Sequence, residues 1–196
     1  MRLFVAIELS NELRNRLEKT QDAVRTVAPY LSFTRPENLH LTLKFLGEVP
    51  DADVKGIADA VETVPPLGEF ELTTDGGVVC FPERGRVRII SAGVRAGPNL
   101  AELHKLVELA MSARGFPSEH RPYHPHITLA RARAPLAASM REKLTAVSMP
   151  PGDAVAMRVS ESVLMESRLH PKGAQYIPAA RFYINLLHPQ QKPIND

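Results

Sequence analysis

The chain has 196 residues, of which 44% are hydrophobic and 23% charged, and its net charge is +2. This composition is that of a folded globular protein and excludes a disordered chain. The small net charge excludes a surface that is basic all over and binds nucleic acid through its charge, although a local basic cleft is still compatible with it. A single cysteine excludes a disulfide framework and a thiolate metal cluster, and the apolar runs fall short of the ~20 residues of a membrane helix. We therefore expect a soluble, cytoplasmic protein that does not associate with membranes.

Strands and helices alternate along the first half of the chain. A compact, partly β-branched apolar run predicts a buried strand at 3–9, and Ser10 is a good N-cap for a helix that Pro29 stops. The elements predicted next are an extended piece at 30–34, a turn at 35–38, a strand from 40 to Gly47, a helix from about 50 to 64, and strands at 70–81 and 86–94 joined by a hairpin turn.

The same order of elements then recurs. The elements predicted here are a helix at 98–114 with Gly115 as its C-cap, a polar turn at 118–122, a strand from 126, a helix at 135–147, and strands at 154–169 and 174–187 around a second hairpin turn. The series strand, helix, turn, strand, helix, strand thus occurs at about 2–80 and again at about 87–168.

Repetition of a whole supersecondary unit predicts the fold class. We expect an α+β protein in which residues 1–196 form a single bilobal domain, with a final strand at about 174–187. The two pseudo-symmetric lobes would each be an antiparallel sheet with helices on its outer face, arranged around a central cleft.

Two His-x-Thr motifs occupy equivalent places in the two repeats, at 40–42 and 126–128. Alternate residues of a strand share a face, so His40 projects with Thr42, and His126 projects with Thr128. One such motif is more often a histidine without a role, but a second copy in repeated surroundings favours a shared function. If the lobes face each other across a groove, both pairs reach one reacting centre.

Two histidines on either side of one centre form an acid/base couple. An unperturbed pKa of ~6.5 lets one imidazole be neutral and the other protonated near neutral pH. The Thr42 and Thr128 hydroxyls can donate hydrogen bonds to an anionic group between them. In-line attack on a phosphodiester needs these parts and no metal or cofactor.

Four stretches carry a resemblance over nearly the full length: RLFVAIEL, ENLHLTLKFLGEV, PYHPHITLAR, and Tyr176 before a terminal strand. The chain resembles the 2H phosphoesterase superfamily, and within it the bacterial and archaeal RNA 2′,3′-cyclic phosphodiesterases, also known as 2′-5′ RNA ligases. The resemblance implies hydrolysis of a 2′,3′-cyclic phosphate, at an RNA end or in a nucleotide, to a 2′-phosphomonoester. It also implies weak, reversible joining of 2′-5′ linkages.

The resemblance also implies roles for the two histidines. It makes His40 the proton donor to the leaving 3′ oxygen and His126 the base for water, a distinction that the residue patterns alone leave open. The expected partners are RNA ends or nucleotides with a 2′,3′-cyclic phosphate, and we expect a monomer.

Further candidate contacts lie near the motifs. The resemblance implies that Arg131 binds phosphate, although strict alternation puts it on the face opposite His126 unless a bulge turns it. Lys44 falls on the face of His40 and is a candidate substrate contact, with a solvated charge as the alternative. Phe45 is a candidate for stacking on a base, with core packing as the alternative. Many relatives carry a Trp near 30–35, and we expect Phe33 to take that place.

The remaining histidines allow a metal site to be weighed. His124 and His126, with His120 and His104 nearby, could supply imidazoles, but Pro125 intervenes and no Asp, Glu or Cys lies at ligand spacing. We expect no metal, with His104 in a surface or packing role. His170 and His188 are expected to be solvated, and Cys80 to be a small core residue.

The residue patterns also allow two rival functions. One is a 2H phosphoesterase for another cyclic phosphate, such as ADP-ribose 1″,2″-cyclic phosphate or a cyclic dinucleotide product. The other is a non-catalytic module that binds RNA ends, which would bind without turnover.

Overall fold

The described residues of the computed structural model are 1–147, 154–171 and 173–184, apart from the side chains of residues 75 and 76. They form nine strands: β1 (Arg2–Glu8), β2 (Ser32–Phe33), β3 (His40–Glu48), β4 (Phe70–Phe81), β5 (Val87–Ala96), β6 (His126–Leu136), β7 (Ala156–Val159), β8 (Glu161–His170) and β9 (Gly173–Tyr183). They also form the helices α1 (Asn11–Val27), α2 (Val54–Glu62), α3 (Pro98–Ala113) and α4 (Ala138–Thr145), with 3-10 turns at Pro36–Asn38 and Asp51–Asp53.

The first helix shows how local sequence determines an element. The Ser10 hydroxyl accepts a hydrogen bond from the Leu13 amide at 3.2 Å and so caps α1, as the sequence predicts. Leu13, Leu17 and Val24 lie on one buried stripe of the helix, which packs that face onto the sheet.

The strands form one sheet in the order β7-β4-β5-β6-β3-β1-β8-β9, with β2 added beside β6. All neighbouring strands are antiparallel. The predicted α+β class with antiparallel strands is confirmed. The two predicted lobe sheets are halves of one continuous sheet, joined where β3 meets β6 at the pair Leu41–Ile127.

The strand order is symmetric about this junction. Strands β3, β1, β8 and β9 on one side correspond to β6, β5, β4 and β7 on the other. The last strand of each repeat lies in the opposite half, because β4 pairs with β5 and β8 pairs with β1. Each half of the sheet therefore contains a strand from the other repeat.

One apolar core lies between the sheet and its helices, and it includes residues of all four α-helices and of both halves of the sheet. The opposite face of the sheet, called the open face below, carries a smaller apolar cluster of Phe4, Ala6, Val163 and Met165, against which Tyr176 packs. This one-sided cover leaves the open face available for a site.

Some predicted boundaries are wrong. The strand predicted at 154–169 is two strands, since β7 joins one half of the sheet and β8 the other. The helix predicted at 135–147 is α4, which starts later because β6 continues to Leu136. Positions 185–187 of the predicted final strand lie outside the described residues, as do Lys172 and His188. Among the described helices, none combines the length and apolarity needed to cross a bilayer.

Candidate active site

The sheet brings the two His-x-Thr motifs side by side. Leu41 on β3 pairs with Ile127 on β6, and both side chains are completely buried in the core under the helices. Side chains alternate along a strand, so the histidine and threonine that flank each of these residues project from the open face. The four predicted groups therefore come together at the junction of the two halves.

Both imidazoles are held by the same backbone contact. The Nδ1 of His40 lies 2.7 Å from the carbonyl oxygen of Asn38, and the Nδ1 of His126 lies 2.8 Å from that of His124. A carbonyl can only accept, so each Nδ1 carries the hydrogen, and Nε2 is the ring nitrogen that can take up a further proton. The Nε2 of His40 lies 3.0 Å from the Thr42 hydroxyl.

The surroundings favour the neutral form of both rings. Burial is the main cause that lowers the pKa of His40, and the charges of Arg131 and His126 lower it further, against the opposing effect of the Asn38 carbonyl. Burial also lowers the pKa of His126, with Arg131 again contributing. One guanidinium thus acts on both imidazoles, which identifies a common electrostatic site.

A bulge brings Arg131 to the open face. On β6, Thr128 pairs with Ser91 and Ala130 with Ile90, so Leu129 is an extra residue that shifts the alternation. Ala130 is buried in the core and Arg131 is exposed on the other side. The bulge that the sequence analysis required for Arg131 is therefore present, while its phosphate contact stays a prediction.

A bulge on β3 turns Lys44 away from the open face. Thr42 pairs with Ala6 and Lys44 with Val5, so the strand again shifts by one residue. Lys44 is only 6% exposed, and its ammonium donates to Glu108 at 2.8 Å and to the Pro117 carbonyl at 2.6 Å. The prediction that Lys44 shares the face of His40 is wrong, because it assumed unbroken alternation.

The same shift exposes Phe45 on the open face. Phe45 on β3 pairs with Phe4 on β1, and the centroids of their rings lie 5.9 Å apart. The side chain of Phe45 is 64% exposed. Core packing is thereby excluded for Phe45, and its contact with a base stays a prediction. Phe33 differs, since its ring packs against the core beneath the guanidinium of Arg25 at 4.2 Å, and its correspondence to the Trp of relatives stays a prediction.

Aromatic rings for which the sequence pattern predicts no role surround the imidazoles. Phe4 and Tyr176 lie 4.8 and 5.2 Å from the ring of His40, and Phe81 lies 4.7 Å from that of His126. Alternation along the first strand could have indicated Phe4. Phe81 and Tyr176 come from strands whose neighbours the sequence does not reveal.

The rings of two other histidines contact residues outside this centre. His104 stacks on Tyr123 at 3.8 Å, and His124 faces Glu83 at 4.0 Å. Within the described part of the chain, no three His, Cys, Asp or Glu side chains form a group that could hold a metal ion. Cys80 is buried as predicted, and burial raises the pKa of its thiol.

Comparison with known proteins identifies the class. The family model of the 2′-5′ RNA ligase superfamily matches residues 11–171. The chain belongs to this superfamily of 2H phosphoesterases, which confirms the resemblance seen in the sequence.

Individual relatives extend this assignment over most of the chain. The RNA 2′,3′-cyclic phosphodiesterase of Methanothermobacter thermautotrophicus is 32% identical over 90% of this chain and 95% of its own length. The enzyme of that name from Escherichia coli is 31% identical over 92% and 95%. The crystal structure of TT0787 of Thermus thermophilus superposes with a TM-score of 0.76 at 29% identity, over 96% of this chain and all of that one. E. coli LigT complexed with 3′-AMP gives a TM-score of 0.75 at 28% identity, over 93% and 97%.

Proposed function

We propose that this protein hydrolyses the 2′,3′-cyclic phosphate of RNA ends or nucleotides to a 2′-phosphomonoester, with His40 as general acid and His126 as general base. The observation that carries the proposal is the pair of imidazoles at the sheet junction, each oriented by a carbonyl two residues earlier in the chain. The names of the relatives, RNA 2′,3′-cyclic phosphodiesterase, support the choice of substrate.

The proposed reaction needs one proton transfer at each histidine. Neutral His126 takes a proton through Nε2 from the water that attacks phosphorus. The bond from phosphorus to the 3′ oxygen breaks, and protonated His40 gives its proton to that oxygen. The products are a 2′-phosphomonoester and a 3′ hydroxyl, and each transfer is typically worth ~10²–10⁴ in rate.

Substrate binding supplies the protonated acid. In the free protein, burial and Arg131 lower the pKa of His40, so the ring favours its neutral form. A phosphodiester anion beside the ring raises that pKa, because an opposite charge stabilises the imidazolium. The hydroxyls of Thr42 and Thr128 and the guanidinium of Arg131 donate to the non-bridging oxygens, where negative charge develops.

We propose ligation as a variant of the same reaction. When the 5′ hydroxyl of a second RNA takes the place of water, His126 removes its proton and a 2′-5′ linkage forms. His40 again protonates the 3′ oxygen, and the reverse reaction exchanges the two roles.

The test is turnover of three substrates by the purified protein in the presence of a chelator. These are adenosine 2′,3′-cyclic phosphate, an RNA oligonucleotide that ends in a 2′,3′-cyclic phosphate, and ADP-ribose 1″,2″-cyclic phosphate. We expect hydrolysis of the first two, with chromatography showing the 2′-phosphomonoester. His40→Ala and His126→Ala should each lose ~10²–10⁴ in kcat/KM.

Threonine variants serve as graded comparisons. Thr42→Val and Thr128→Val keep the shape of the side chain and remove the hydroxyl, so each should lose ~10²–10³ by analogy with an oxyanion donor. Full activity in either histidine variant would contradict the acid/base pair. Turnover of the ADP-ribose substrate alone, or binding of RNA ends without turnover, would support the rival functions instead.

A further inference from the structure

A side chain from the first helix holds the bulge residue of β6. Gln21 of α1 is 3% exposed, and its Nε2 lies 2.7 Å from the carbonyl oxygen of Thr34 and 2.8 Å from that of Leu129. Carbonyls only accept, so the amide nitrogen must face them, and both of its hydrogens are used. The side chain therefore joins the residue after β2 to the extra residue of β6.

The backbone of Thr34 takes part in the same contact. Its amide donates to the Leu129 carbonyl at 2.9 Å, beyond the two residue pairs that join β2 to β6. The bulge interrupts the ladder between β6 and β5 at Leu129. The contacts on the other side of β6, from Gln21 and Thr34, therefore determine where the extra residue lies.

The position of Arg131 depends on this bulge. The shift at Leu129 puts Ala130 in the core and Arg131 on the open face. Among the described residues, none forms an ion pair or a hydrogen bond with the Arg131 guanidinium. The distance of the guanidinium from the two imidazoles is therefore set by the backbone that Gln21 holds.

The other half of the molecule has a charged counterpart of this contact. Gln21 lies ten residues after the first residue of α1, and Glu108 lies ten residues after the first residue of α3. Glu108 pairs at 2.8 Å with Lys44 at the shifted position of β3, and Lys44 also donates to Pro117, in the segment before the second motif. In both halves, the same place on the helix joins the strand of one motif to the segment that leads to the other motif. This recurrence indicates a shared role in setting the two motif strands.

We infer that Gln21 is a positioning residue for Arg131, because it holds the bulge that places the guanidinium beside His40 and His126. The inference rests on the proposed function, in which Arg131 donates to the phosphate. Gln21 itself is buried on the helix side of the sheet, so it acts only through the backbone of β6 and of Thr34.

The first measurement is an NMR titration of His40 and His126 in the wild type, Gln21→Met and Arg131→Gln. Arg131 lowers the pKa of both rings, and the other charges that act on them are those of His126 on His40 and of His124 on His126. Gln21→Met keeps the length of the side chain and removes both donors. We expect the pKa of both rings to rise in Gln21→Met, by no more than in Arg131→Gln.

The second measurement is kcat/KM for adenosine 2′,3′-cyclic phosphate. Gln21→Met should lose roughly 3–10-fold, the effect of one ordinary hydrogen bond. In combination with Arg131→Gln it should cause no further loss, because both changes act through the same guanidinium. A merely structural role would lower the free energy of unfolding without moving the pKa of either ring.

Thr20→Val is the matched control. Thr20 precedes Gln21 on α1, is completely buried, and donates from its hydroxyl to the Arg16 carbonyl of the same helix at 3.4 Å. This variant loses a hydrogen bond within α1 and should keep the wild-type pKa values and kcat/KM. Gln21→Asn, whose amide is one carbon shorter and too short to reach both carbonyls, repeats the test if Gln21→Met does not fold.

Unchanged pKa values of both rings in a folded Gln21 variant would overturn the inference. So would a loss of activity that adds in full to that of Arg131→Gln. If the wild type hydrolyses no cyclic phosphate, the proposed function is overturned, whereas the titration still decides whether Gln21 places Arg131.

Discussion

At the scale of single residues, the candidate site depends on the orientation and the pKa values of two imidazoles. Each has its Nδ1 hydrogen committed to a carbonyl, and burial lowers the pKa of both. In the proposed mechanism the base, His126, must be neutral, so we expect activity to fall as the pH drops through the pKa of His126. The proposed acid, His40, must be protonated, so we expect activity to fall as the pH rises through the pKa of His40.

Because both pKa values are lowered, both limbs of the pH profile move to the acidic side. We expect a bell-shaped profile of kcat/KM with its optimum below ~6.5, the unperturbed value for histidine. The apparent values belong to the coupled pair and not to one ring. A pH optimum above neutral in the wild type would contradict the conclusion that burial lowers the pKa of both histidines.

Arg131 provides a separate prediction, since its charge lowers the pKa of both rings. Arg131→Gln should shift both limbs of the profile to higher pH. It should also lose about 10–100-fold in kcat/KM if the guanidinium binds phosphate. Arg133→Gln, two residues further along β6, is the control and should leave both limbs in place. A loss of activity with an unmoved profile would argue against the shared electrostatic role.

At the scale of elements, side chains between strands and helices hold the motif strands in place. Lys44 of β3 pairs with Glu108 of α3, and its ammonium also holds the carbonyl of Pro117 in the segment before β6. The hydroxyl of Tyr123, in the same segment, donates to the carbonyl of Thr42 at 3.1 Å. Contacts from the first motif thereby fix the approach of the chain to the second.

Lys44→Met should destabilise the protein strongly, because it leaves the Glu108 carboxylate largely buried without its partner ammonium. The expected loss is ~3–5 kcal/mol of unfolding free energy, measured by urea denaturation with circular dichroism. The double variant Lys44→Met, Glu108→Leu should recover much of this loss, since no buried charge remains. A single variant as stable as the wild type would show that the pair carries little energy.

Arg141 of α4 holds the turn between β4 and β5. Its guanidinium donates to the carbonyls of Cys80, Pro82 and Gly85 at 3.0, 2.7 and 3.0 Å. Phe81 lies within the segment that it holds and contacts the ring of His126. The helix thus supports the wall of the candidate site.

Arg141→Met keeps the apolar stem and removes the three donors, so it should cost ~1–3 kcal/mol in unfolding free energy. It should also lower kcat, because Phe81 is no longer fixed against His126. Lys143→Met on the same helix is the control, as its side chain is exposed and should tolerate the change. If Arg141→Met had the stability and the kcat of the wild type, Arg141 would not support the wall of the site.

At the scale of the whole molecule, the exchange of strands makes the two halves depend on each other. Strand β4 belongs to the first repeat, yet its partners β5 and β7 follow the hairpin turn at 82–85. Strand β8 follows that turn, yet it pairs with β1. Neither half of the chain contains all the partners of its own strands.

We therefore expect that fragments 1–83 and 84–196 do not fold separately but do assemble when mixed. Circular dichroism of each fragment should show little regular structure, and the mixture should regain both the native spectrum and the hydrolytic activity. A fragment with a cooperative unfolding transition of its own would contradict this mutual dependence.

What the sequence by itself determined was local and repeated: the Ser10 cap, the order of elements and the two His-x-Thr pairs. A strand has a period of two, so the sharing of a face by His40 and Thr42 follows from spacing alone. The second copy of the motif, in equivalent surroundings, was enough to predict one shared centre.

Only the tertiary structure decided which strands are neighbours and where the alternation shifts. Bulges arise from pairing with a partner strand, which lies far away in the chain, and a shift of one residue exchanges the two faces. The shift at β6 turned Arg131 toward the histidines, while the shift at β3 buried Lys44 and exposed Phe45.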